Sequence, residues 1–200
     1  MRSMRILAAA LGVALVLGAA CADPVHDDEV AALGPEAPGV PPGPTHRPGQ
    51  PCLVCHGGSG PASLQFSIGG TAYETQMVPL ADGGAPASSA PLVGASVQLT
   101  DSSDLGDASD ASSVSTATQT TTTNSVGNFY ILESDWAPVF PIGGLGPSHQ
   151  IQICAGSCVS TTVAKASMLT AIGRDGSCAD CHFSPPGPLS PGPLYLMAAP

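Results

Sequence analysis

The chain has 200 residues, about one domain's worth, and only 10% of them are charged and 4% aromatic. With 24 glycines and 21 prolines, the composition argues against long helices and leaves Ala, Val, Leu and Ile to supply the core. The formal net charge of −10 excludes nucleic acid as a partner. In chain order, "MRSMRILAAALGVALVLGAAC" opens with two arginines, an apolar run and small residues. Residues 1–20 therefore read as a secretory signal, too short for a comfortable membrane span. Export removes Arg2 and Arg5, leaving Arg47, Lys165 and Arg174 against all 15 acidic residues, a net charge of −12. It also puts the cysteines where thiols oxidise. Residues 21–45 read as a tether, acidic and polar over 22–33 and dominated by Pro and Gly from 34 onward. Such a segment buries little and stays extended, at up to ~3.1 Å per residue.

The signal ends on "LGAAC", which resembles a bacterial lipobox, although Leu17 lies one place further from Cys21 than in the usual pattern. The resemblance makes Cys21 a lipidated N-terminus that anchors the mature chain to the outer membrane or another periplasmic face of the envelope. Beyond the tether, residues 64–165 alternate with a period of two. The runs are "LQFSIGGTAY" (64–73), "LVGASVQLT" (92–100), "GNFYIL" (127–132), "HQIQIC" (149–154) and "CVSTTVA" (158–164). Val93, Ala95, Val97 and Leu99 share one face, and Gly, Pro, Ser and Asp separate the runs. The low-complexity stretch 101–125 ends in a Thr-rich candidate strand. Its Asp101, Asp104, Asp107 and Asp110 lack the spacing, central Gly and final Glu of a calcium loop and read as solvated. Trp136 reads as core or rim. The expected fold is mostly β, an antiparallel sandwich of about seven strands. "GTAY…VGASVQLTD…TTTTNSVGNFYI" resembles the carboxypeptidase-regulatory or transthyretin-like sandwich over about 65–135. Within it, Gly127 suits a tight turn, and Phe129 and Ile131 alternate into the core.

Two segments bracket this body, 46–63 with "CLVCH" at 52–56 and 166–200 with "CADCH" at 178–182. Cys-x-x-Cys-His is the c-type haem attachment pattern. Two thiols add across the two vinyl groups, two intervening residues set the sulfur separation, and the adjacent imidazole faces the iron. Cys52, Cys55, Cys178 and Cys181 are then attachment residues, and His56 and His182 proximal ligands, for two covalently bound c haems. Zinc knuckles lie about 15–20 residues apart and need no appended His. A thioredoxin-like centre needs a βαβ context that is absent here, and disulfides within or between the motifs are the third weaker reading. With Cys21 lipidated, Cys154 and Cys158 remain. If 149–164 is a hairpin, three loop residues put them opposite each other with Cα atoms about 4.5–5.5 Å apart, inside the disulfide window of about 4.4–6.8 Å.

"HRPGQPCLVCHGG" and "MLTAIGRDGSCADCHFSPPGPLSPGPLYL" resemble segments of exported multihaem cytochromes that carry a β-sandwich between two haem motifs. The resemblance implies a dihaem c-type cytochrome lipoprotein, a non-enzymatic electron relay. Its implied partner is another cytochrome, with self-association through haem edges a further option. The candidate sixth ligands are His46 for one haem and His149 for the other, with Met168 the rival at the second; Met77 and Met197 are outsiders. Two further functions are kept open. One is a haem peroxidase or reductase with one open iron, which needs acid–base groups and cations that the chain hardly supplies. The other is a zinc-stabilised β-sandwich for binding or adhesion, without haem.

Overall fold

Short apolar alternations bounded by Gly, Pro and Asn give seven strands among the described residues: β1 (Phe66–Thr75), β2 (Ser96–Ser102), β3 (Ala117–Thr122), β4 (Asn128–Leu132), β5 (Ser148–Cys154), β6 (Lys165–Ser167) and β7 (Leu194–Met197). The structure is a computed structural model that describes residues 23–58, 60–76, 90–102, 117–140, 148–168, 170–172 and 175–197. The signal peptide, Cys21, Met77, Arg174 and Asp104, Asp107 and Asp110 lie outside the described residues.

The strands form two sheets, β4-β1-β7 and β3-β2-β5-β6. Both contribute to one core, with Ile68, Phe129 and Leu194 from the first and Val97, Leu99 and Ile151 from the second. The sandwich is not closed. The second sheet is antiparallel throughout, as expected. The first is mixed: β1 pairs antiparallel with β4 but parallel with β7. The physical reason is the route of the chain. A parallel partner needs a long crossover rather than a tight turn, and between β1 and β7 the chain passes through β2 to β6 before the segment that carries the second Cys-x-x-Cys-His.

Phe129 and Ile131 point into the core as expected, and Gly127 turns the chain at φ 81°, where a Cβ would also meet the carbonyl oxygen of Ala72 at 2.3 Å. Ala95, Val97 and Leu99 are buried, but Val93 is exposed, because Gly94 at φ 70° breaks the alternation before β2 begins. Trp136 packs at the margin of the core. The expected strand over 158–164 is a loop, and the partner of β5 starts only at Lys165, opposite Cys154. Local side-chain bonds compete with the ladder there: the Ser160 hydroxyl accepts from Thr162 N–H at 3.3 Å and pairs with Thr162 Oγ1 at 3.0 Å. Cys154 and Cys158 form the disulfide, with Cα atoms 5.3 Å apart, from the last residue of β5 into this loop rather than across a ladder.

By contacts the chain divides into units 1–34 and 35–200. In the first, α1 (Pro24–Ala32) occupies the acidic stretch of the tether. Asp23 caps it by accepting from the backbone N–H groups of Val25 and His26, and Pro24 supplies a preset first turn. In the second unit the Pro/Gly segment is bonded to the body rather than loose. Gly49 N–H donates to Thr71 Oγ1 at 2.7 Å, Thr71 donates on to Asn128 Oδ1, and Asn128 Nδ2 donates to the His46 carbonyl at 2.8 Å. Arg47, at φ 47°, pairs with Glu36 at 3.1 Å.

Candidate functional site

Each Cys-x-x-Cys-His folds as a single helical turn. The first is α2 (Cys52–His56). The second is a 3-10 turn, Cys178–Asp180, continued by a bond from His182 N–H to the Cys178 carbonyl at 2.8 Å. Helical spacing puts residues i, i+3 and i+4 on one face, so each turn presents its two thiols and its imidazole together. All four thiols are free.

Both turns pack on β1, at the adjacent residues Gly69 and Gly70. A Cβ on Gly69 would meet Cys52 Cβ at 2.9 Å and its Sγ at 3.3 Å; a Cβ on Gly70 would meet Cys178 Cβ at 2.8 Å and its Sγ at 3.1 Å. Only glycine leaves that room. The second turn is also stitched to the strand: Gly69 N–H donates to the Gly176 carbonyl at 2.9 Å, and Ser177 bridges Gly69 in parallel. Desolvation pushes the Cys52 thiol up to about 11, and burial raises Cys178 as well. Both are neutral thiols at physiological pH.

The two motif imidazoles are fixed in the same way. His56 Nδ1–H donates to the Leu64 carbonyl at 2.8 Å, and His182 Nδ1–H to the Gly192 carbonyl at 3.0 Å. A carbonyl only accepts, so Nδ1 carries the proton and Nε2 keeps its lone pair, the state of a metal-binding imidazole. Burial lowers the His182 pKa and favours that neutral form. Phe66 lies flat on His56 (centroids 4.0 Å, planes 4° apart), and Tyr130 on Phe66 (4.4 Å, 11°).

Of the expected sixth ligands, the structure brings His46 to the first motif. Its ring lies parallel to that of His56, with centroids 5.7 Å apart. Its Nδ1 accepts from Gly43 N–H at 3.3 Å, a bond it gives up if the proton moves to Nδ1 to free Nε2. The structure places His149 elsewhere. It is fully buried in β5, edge-on to Trp136 and Phe140, with Nε2–H donating to the Val139 carbonyl at 2.9 Å. Met168 is half-buried at the margin of the core.

The free thiols, the paired lone-pair nitrogens and the Cβ-free strand under both turns fit two covalent haems. Among the described residues, no three side chains of His, Cys, Asp or Glu gather as a metal-ion site. Gly69 and Gly70, Phe66, and the carbonyls of Leu64 and Gly192 carry no motif of their own. Only the "GG" in "SIGGTAY", a pair of residues that weakens a strand interior, signalled a close approach. No protein-family model, curated protein or solved structure matches this chain.

Proposed function

We propose that the chain is an exported, lipid-anchored dihaem c-type cytochrome that passes electrons at the cell envelope. The observation that carries this reading is that two Cys-x-x-Cys-His turns, each with free thiols and an imidazole held by Nδ1, meet on one glycine pair. Haem, when bound, supplies a one-electron couple. Cys52 and Cys55, and Cys178 and Cys181, hold it; His56 and His182 offer Nε2, and the backbone carbonyls of Leu64 and Gly192 fix the ring orientation and raise ligand basicity. His46 is the proposed sixth ligand at the first motif, because its ring lies 5.7 Å from that of His56. At the second, His149 would have to leave an aromatic enclosure and its bond to Val139, which favours Met168 and with it a higher potential.

A relay is preferred to an enzyme because the mature chain keeps only three basic residues to stabilise developing negative charge. A zinc-held module is disfavoured by the absence of a gathered ligand set among the described residues. The acidic surface suits a cationic redox partner, another cytochrome. Protein made with a cytochrome c maturation system should carry two haems per chain that survive acid–acetone extraction. The Cys52→Ala, Cys55→Ala double variant should keep one. Zinc in place of iron, or a colourless chain, would overturn the reading.

A further inference from the structure

Successive residues of a strand point to opposite faces of the sheet. Along β1, Ile68, Gly70 and Ala72 face the core, where a Cβ on Gly70 would meet Phe129 Cζ at 3.0 Å beside Cys178. Gly69 and Thr71 face the other way. There Gly69 would meet Cys52 and Leu53 Cδ1, and Thr71 accepts from Gly49 of the Pro/Gly segment. The two motifs thus reach one strand from its two faces, at neighbouring residues whose Cα atoms are about 3.8 Å apart. A third close approach accompanies this arrangement: a Cβ on Gly176 would clash with the Ser67 carbonyl, so glycine there lets the second turn reach backbone contact with β1.

Building on the haem reading above, we propose that Gly69 and Gly70 are positioning residues that hold the two haem attachment sites back to back across β1, the missing side chain of each glycine serving one site while the Gly69 backbone N–H also holds the second turn. Gly69 makes room for Cys52 and so sets the first site. Gly70 makes room for Cys178 and sets the second. The strand backbone is the partition between them, and its thinness holds the two attachment cysteines close enough for each site to sense the oxidation state of the other.

The experiment uses the haem-loaded chain with Gly69→Ala, Gly70→Ala and, as a control, Gly58→Ala, where a Cβ would meet nothing within 4 Å. Haem-bearing peptides are quantified separately for 52–56 and 178–182, and each haem's potential and low-spin electron paramagnetic resonance signal are recorded. Gly69→Ala should lower haem occupancy at 52–56 alone, Gly70→Ala at 178–182 alone, and Gly58→Ala at neither; a potential shift at the untouched haem is the coupling itself. A general loss of fold would lower both together, so equal effects at the two motifs from either glycine overturn the proposal. A second measurement needs no glycine variant. The spectrum of the fully oxidised wild-type chain should differ from the sum of the two single-haem variants (Cys52→Ala with Cys55→Ala, and Cys178→Ala with Cys181→Ala), because neighbouring paramagnetic irons broaden each other's signals. Two haems with a strictly additive spectrum would overturn this inference alone; a chain with no haem would overturn it together with the reading on which it rests.

Discussion

At the scale of single residues, the two first-position cysteines behave differently from ordinary surface thiols because β1 covers them. Cys52 is raised from 9.0 to about 11, mainly by desolvation. In a chain made without haem, the folded state keeps this proton while the unfolded state loses it. Stability is then fully present below pH 9 and falls as pH rises through about 11, by roughly 2–3 kcal/mol from this group. Urea midpoints of haem-free protein should drop between about pH 9 and pH 11. Cys52→Ala should remove part of the drop and Cys178, also raised by burial, should account for more. A thioether has no proton to lose, so the haem-loaded chain should lack the slope. A midpoint independent of pH in the haem-free chain would show that the thiols are not buried against the strand.

At the scale of elements, the turn between β5 and β6 is shaped by a covalent bond rather than a ladder. Cys154 and Cys158 are separated by only three residues, so the loop that the disulfide closes is short. The chain-entropy model assigns such a loop about 2 kcal/mol. Reduction should lower the unfolding free energy by about that amount while the chain stays folded, because the buried residues of β2 and β5 supply the core independently of the loop. Unfolding on reduction would mean that the disulfide, not the core, holds the second sheet. β7 makes the complementary point. It pairs with β1 over Ala72–Thr75, just beyond the point where the second motif is stitched to Gly69.

At the scale of the whole molecule, the proposed export and anchor bear on the charge. Removal of residues 1–20 would leave a net charge of −12, which would steer a cationic partner with a rate that falls as salt rises. A lipid at Cys21 would confine that encounter to the membrane face. Cells grown with labelled fatty acid should label this chain, and Cys21→Ser should abolish both label and membrane retention. Unlabelled wild-type protein released into the periplasm or medium would refute the anchor.

The sequence by itself determined the two Cys-x-x-Cys-His turns and most of the strands. Cys-x-x-Cys-His is a local pattern, so one helical turn suffices to put two thiols and an imidazole on one face, and period-2 alternation marks β1, β2, β4 and β5 without knowledge of their neighbours. It also brought Cys154 and Cys158 together, since the three residues between them cannot separate them far. Tertiary structure alone decided the rest, because each outcome depends on residues distant in sequence. His149 looks like a ligand in isolation, but Trp136, Phe140 and the Val139 carbonyl enclose it. The parallel pairing of β7 depends on a crossover whose path no local signal encodes. The meeting of the two motifs depends on Gly69 and Gly70, whose missing side chains acquire meaning only when Cys52 and Cys178 arrive from opposite faces of the strand.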